Sequence, residues 1–185
     1  MPSVQDFLAQ INKRGLARTE KFRVEITPPP LLAAYNGAEQ LRGMNIFCES
    51  AVFPSVTINT KKARIHNLDI SRPSTVDYGG EVAMFVFIVD GTWEVKKFFN
   101  MWANLIVDRN REVAQYTDII GSIDLFAVHE SNTSAMLSEH KEETPYSIKF
   151  VDVFPRTIEP LFTANTSIGV HRLGVQFTYK YWIEI

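Results

Sequence analysis

The side chains of this sequence able to do chemistry are few and dispersed. Four histidines, His66, His129, His140 and His171, and a single cysteine, Cys48, are the candidate metal ligands or nucleophiles. A metal site needs two or more such groups at short spacing on one face, and no histidine here stands at ligand spacing with another histidine or with Cys48. A thiol becomes a nucleophile next to a base or a cation; Cys48 lies within an apolar, strand-like segment and reads as a packed thiol. The carboxylate pairs Glu142 with Glu143 and Asp90 with Glu94 have the composition of an acid and base. The first pair sits in a polar stretch that water would solvate. The second stands where a helix starts, where carboxylates meet the positive end of the helix dipole. No phosphate loop, nucleophile elbow or dinucleotide fingerprint occurs, and Gly79-Gly80 marks a turn. The expectation is a protein without catalytic residues, metal or cofactor, and not an enzyme.

One charged motif remains. Lys61, Lys62 and Arg64 form a small basic cluster, with nucleic-acid contact as one reading and a solvated strand end as the plainer one. The whole chain has 19 basic and 21 acidic residues, a formal charge of -2, so it lacks the concentrated cationic surface that grips a phosphate backbone.

The elements that carry these residues are mostly strands. The 185 residues are 45% hydrophobic and include 13 Phe, 6 Tyr and 3 Trp, enough for one substantial core and one domain spanning residues 1–185. The longest apolar run, Val82–Val89, is too short for a membrane helix and suits a central strand. The N-terminal sequence lacks a signal-peptide pattern, and one cysteine cannot form an internal disulfide, which points to a cytoplasmic setting.

Along the chain, Ser3 and Asp6 resemble a capping box opening a short helix with Phe7, Leu8 and Ile11 on one face, within an N-terminal arm over residues 1–20. Lys21–Thr27 alternates as a strand that Pro28-Pro29-Pro30 ends. Leu31–Arg42 reads as an excursion loop, and Met44–Phe53 and Val56–Thr60 as strands broken at Pro54. Residues 56–80 have the loose alternation of an extended hairpin or arm. Thr92 is placed to cap a helix at about 92–107, whose residues Val95, Phe98, Phe99, Trp102, Leu105 and Ile106 make one wide apolar stripe. Ser122–Val128 and Tyr146–Phe154 are further strands, the second closed by Pro155, with a mobile polar loop over 130–145 between them.

The segment Val170–Ile185 predicts a long final strand. Val175, Phe177, Tyr179, Tyr181, Ile183 and Ile185 fall on one face, which wants a core; Trp182 stands on the other face among polar residues. A broad aromatic strand of this kind is hard for a monomer to protect, and so points to assembly. With six to eight strands and one inserted helix, the expected fold is mainly β: an antiparallel sandwich or barrel.

Taken in order, FRVEI, CESAVFP, VFIVD running into a helix with FFNMW, then VFP and a terminal VQFTYKYW resemble the tail tube proteins of contractile-tailed bacteriophages, over about Leu16–Ile185. The resemblance implies a β-sandwich subunit that assembles as a homo-hexameric ring, with rings stacked into a hollow conduit for DNA ejection. It implies a place in the virion after assembly in the host cytoplasm. Sheath, baseplate or tape-measure proteins would be its partners, and DNA would pass without specific binding. The stretch Val56–Tyr78 would supply inner-wall and ring-to-ring contacts. Candidate interface residues are accordingly Phe7, Leu8, Ile58, Ile65, Leu68, Ile70, Val76, Tyr78 and Trp182. If Lys61, Lys62 and Arg64 face the bore, they are expected to pair with acidic groups of an adjacent subunit. A baseplate tube initiator of the same fold is the first alternative; a type VI secretion tube and a small ligand-binding β-barrel are more remote.

Overall fold

The structure, a computed structural model, describes residues 3–14, 17–33, 43–65, 68–77, 82–107, 114–130, 142–164 and 168–185. The chain runs α1 (Val4–Arg14), β1 (Phe22–Thr27), α2 (Pro30–Ala33), β2 (Cys48–Ala51), β3 (Thr57–Ile65), β4 (Leu68–Asp77), β5 (Val82–Ile88), α3 (Glu94–Ile106), α4 (Tyr116–Ile119), β6 (Gly121–Glu130), β7 (Glu142–Ile158), β8 (Arg172–Thr178) and β9 (Tyr181–Glu184). Seven strands form one sheet in the order β1-β6-β7-β8-β5-β2, with β9 also beside β7, and β3 and β4 form a separate two-stranded ribbon. Every pairing is antiparallel. This is the mainly β architecture, with one long inserted helix and a short N-terminal one, that the sequence predicts.

Strand β7 organises the sheet. Its first part pairs with β6 on one side and with β9 on the other, and its last five residues pair with β8. Strands β8 and β9 approach β7 in a single register, with Phe154 opposite Thr178 and Val151 opposite Tyr181. They are therefore two halves of one long strand, interrupted at Tyr179 and Lys180. Opposite the interruption, Asp152 adopts φ 55°, in the left-handed region that L-residues other than Gly, Asn and Asp rarely enter. On its other side Asp152 is the extra residue of a bulge, because Gly121 pairs with Val153 and Ser122 with Val151.

The bend brings the two halves of the sheet together around one core. The Phe150 ring meets Phe85 edge-on at 6.1 Å and Tyr179 at 4.9 Å. Phe85, Phe87, Phe150 and Phe177 are all buried, as are Val24 and Ile26 from β1, while Phe22, the third residue of the alternation that marks that strand in the sequence, is half-buried against them. Helix α3 closes the core: Val95, Phe98, Phe99 and Trp102 are buried, and Leu105 and Ile106 pack against them. Phe99 sits 5.0 Å from Phe87 and 5.8 Å from Phe177, and the Trp102 indole N–H donates to the carbonyl of Ile119 at 2.9 Å.

The fold departs from the sequence expectation in several places. The final strand does not keep one face inward. Val175, Phe177 and Tyr179 are buried, but Tyr181, Ile183 and Ile185 are 44%, 43% and 57% exposed, while Trp182 packs against the core. The kink at Tyr179–Lys180 exchanges the two faces. Pro155 does not end β7; it sits opposite Phe177, and a register shift between Pro155 and Thr157 absorbs its missing donor. Strand β7 starts at Glu142, so the last residues of the expected loop over 130–145 belong to it, and 131–141 lie outside the described residues. Residues 43–46 are helical and only Cys48–Ala51 of Met44–Phe53 is strand, while Leu31–Ala33 belongs to a helical turn whose Leu32 is buried. The rest of that excursion, residues 34–42, lies outside the described residues.

Both helix starts are explicable locally. Ser3 and Asp6 form the reciprocal capping box: the Asp6 carboxylate accepts from the Ser3 N–H at 2.9 Å and the Ser3 hydroxyl accepts from the Asp6 N–H at 3.2 Å. At α3, Thr92 is not the cap. Trp93 holds that position with φ 62°, and the Asp90 carboxylate accepts from the N–H groups of Thr92 at 3.1 Å and Val95 at 3.3 Å. An aspartate two residues before Thr92 reaches further into the helix start than a threonine hydroxyl can.

Candidate assembly surfaces

Each of the chemical candidates finds a structural role or lies outside the described part. Cys48 is half-buried, and its thiol donates to the carbonyl of Ser50 at 3.5 Å. Burial pushes that thiol up to about 12, so it stays protonated and is a poor nucleophile at neutral pH. Asp90 is pushed up by burial, but hydrogen bonds from Thr92 and Val95 outweigh this and hold its carboxyl below the ordinary value. His171 stands 5.4 Å from the Trp93 ring. His66, His140 and the side chains of His129, Glu142 and Glu143 lie outside the described residues. Among the described residues no three His, Cys, Asp or Glu side chains gather as a metal site would require. A groove of about 170 Å³ is lined by Val52, Phe53, Pro54, Ser55, Val82, Ala83 and Tyr179, without a charged group. Ligand pockets usually hold ~300 to 1,000 Å³ around a few placed polar groups.

What the fold leaves open instead is surface. Among the described residues β3 and β4 pair as strands only with each other, and every side chain of β4 is exposed. Ile58, Leu68, Ile70 and Val76 are among them or opposite them, at 59%, 67%, 39% and 49% exposed. Residues opposite each other across an antiparallel pair share a face. One face of the ribbon therefore carries Ala63 with Ile70 and Lys61 with Arg72, and the other carries Ile58 with Val76, Lys62 with Ser71 and Arg64 with Asp69. The basic cluster read along the sequence is thus divided between two faces. Ile65 pairs with Leu68 through its backbone, and Tyr78 lies outside the described residues.

Two further apolar surfaces stand free. Helix α1 presents Val4, Phe7 and Leu8 at 75%, 64% and 51% exposed. An isolated helix of 11 residues is marginal in water, and burial of such an apolar stripe would stabilise it. Strand β9 pairs with β7 along one edge; along its other edge the described residues supply no strand. Its outward row is Tyr181, Ile183 and Ile185. The sequence alternation predicts these three inward and Trp182 outward, and the local mark of the exchange is an aspartate, Asp152, within the otherwise apolar run Phe150–Pro155.

The comparisons with known proteins agree with this geometry. The family described as phage tail tube protein matches residues 17–185. A chain of the sheath-tube complex of an extracellular contractile injection system in its extended state superposes with TM-score 0.59 at 14% identity, covering 96% of this chain and 96% of that one. The tube-terminating cap of the anti-feeding prophage gives TM-score 0.58 at 13% identity, covering 92% and 91%. A crystal structure of an Hcp protein gives 0.50 at 12% identity, covering 89% and 92%. No curated protein matches the chain. The fold is that of injection-system tubes, and the chain belongs to the phage tail tube protein family. Its role is structural and of the tube type.

Proposed function

We propose that the chain is a self-assembling subunit that forms six-membered rings, that the rings stack into the hollow tube of a contractile phage tail, and that DNA leaves through the bore. Its function is carried by shape and self-association, with no reaction and no cofactor. The observation that carries this reading is the set of elements that leave large apolar side chains exposed. These are α1, the β3–β4 ribbon and the outer row of β9. In a head-to-tail ring each copy offers one edge and accepts another, so exposed strand ends become interface once rotation closes the ring. Phe7, Leu8, Ile58, Leu68, Ile70 and Val76 belong to these surfaces. Ile183 and Tyr181 take the outward place expected of Trp182. A chain with net charge -2 also suits a conduit, because a cationic wall would retard a polyanion.

The sheath, the baseplate and a tape-measure protein are the expected partners, in a virion assembled within a bacterial host. The test is negative-stain microscopy and sedimentation of the purified chain. Hollow rods with six-fold end views support the proposal, and a species that remains monomeric at about millimolar concentration overturns it. A chain that stops at one ring is a tube initiator or terminator; the likeness to the prophage baseplate, TM-score 0.57, keeps this as the second reading.

A further inference from the structure

We propose that Lys61 and Arg72 form a two-cation clamp that takes a carboxylate from a second copy of this chain, and that this contact controls how copies add to one another. The inference rests on the tube reading and deepens it by naming a contact within the ribbon.

Three observations carry it. First, the register of the ribbon sets Lys61 directly opposite Arg72 on one face. Like charges in that position destabilise a strand pair, and a two-stranded ribbon standing alone is marginal already. Neither cation forms an ion pair among the described residues. The arrangement is unfavourable in the isolated chain and becomes favourable when an anion lies between the two. Second, Ala63 and Ile70 adjoin the pair on the same face, and Ile70 is exposed. A partner covering them excludes water and strengthens the charge contact beside them. Third, charge is segregated along the chain. Residues 57–77 hold four Lys and Arg against two Asp, while the remainder holds fifteen basic against nineteen acidic residues. The ribbon is thus complementary to the body of another copy. A phosphate backbone is a poorer occupant, because the acidic remainder repels it and two cations release few counterions.

The discriminating variant is Arg72→Glu. It replaces a like-charge pair by an opposite-charge pair across the ribbon, so a purely structural role predicts a more stable ribbon and unchanged association. The clamp predicts loss of association, by about tenfold in the assembled fraction, with an unchanged or higher melting temperature. Lys97→Glu, which makes the same charge change on the wet face of α3, should leave association intact.

Isotope-labelled and unlabelled full-length chains, mixed and treated with a zero-length carbodiimide, identify the occupant. A mixed-isotope peptide joining Lys61 to an Asp or Glu is expected in the assembled fraction. It should weaken several-fold between about 0.05 M and about 0.5 M NaCl. Assemblies that lack this cross-link, or that persist in Arg72→Glu, overturn the clamp while leaving the tube reading standing. Duplex DNA that binds the chain and displaces the cross-link overturns it as well, by showing phosphate to be the occupant. Failure of the unmodified chain to associate at either salt concentration overturns the tube reading itself.

Discussion

Asp152 and Lys180 face each other at the point where both strands of the central pair bend, with the Lys180 ammonium 3.4 Å from the Asp152 carboxylate. The Lys180 N–H donates to the carbonyl of Val151 at 3.0 Å, so the backbone ladder continues across the bend. The bend is concentrated in one residue. Asp152 with φ 55° turns β7 from one half of the sheet to the other and, through the kink opposite it, exchanges the inner and outer faces of the last strand.

A β-branched residue at that position cannot adopt the left-handed conformation without cost. Asp152→Val is expected to destabilise the fold by about 1 to 3 kcal/mol, and Asp152→Gly to stay within about 1 kcal/mol of wild type. Urea unfolding measures both. A large loss in the Gly variant would mean that the half-buried Asp152 carboxylate and its ion pair with Lys180, and not the backbone, hold the bend.

Gly121 is the counterpart of that bend on β6. A Cβ there would collide with the carbonyl oxygen of Thr27 and stand 3.1 Å from the Trp102 ring. Gly121→Ala should therefore cost about 1 to 3 kcal/mol, as overpacking does. Near-ultraviolet circular dichroism should report a disturbed Trp102 environment, and an unchanged melting temperature would refute the packing argument.

Phe177 lies between the halves of the core, 5.6 Å from Phe85 and 6.0 Å from Trp102. Phe177→Ala removes contacts to the sheet and to α3 together, with an expected loss of about 3 to 5 kcal/mol. Thermal and urea denaturation check it; a loss below about 1 kcal/mol would show that the core collapses to fill the space.

Ile183→Arg tests the outer row of β9. Ile183 is 43% exposed, so folding stability should change by less than about 1 kcal/mol. Association should fall by about tenfold if this row is buried between copies, read by sedimentation velocity beside the melting temperature. Intact rods from the variant would remove β9 from the interface.

Asp90 links pH to the start of α3. Its folded-state pKa lies below the ordinary 3.8, so its contribution to stability is full above that value and is lost as pH falls through the folded pKa. Asp90→Asn should therefore lower stability at neutral pH and flatten its fall in acid. Denaturant midpoints measured from neutral to acid pH for both chains give the slope, and parallel curves would exclude the linkage.

Much of this protein is legible locally. The apolar stripe from Val95 to Ile106, the alternation through Val24 and Ile26, the continuous run into β5 and the Ser3–Asp6 box all depend on residues within a few positions of one another. Backbone periodicity turns such patterns into helix or strand wherever the chain lies, and the order of motifs pointed to the family. The outward row Tyr181, Ile183 and Ile185 was not legible, because it depends on the φ angle of Asp152, about thirty residues earlier. The same holds for Arg72 standing across from Lys61, which is set by the ribbon's register and by the extra residue beside Pro73. Residue type and spacing determined which segments must bury a face. The tertiary structure decided which face that is and which charges meet, because a register or a bend is shared by two distant segments and is written in neither alone.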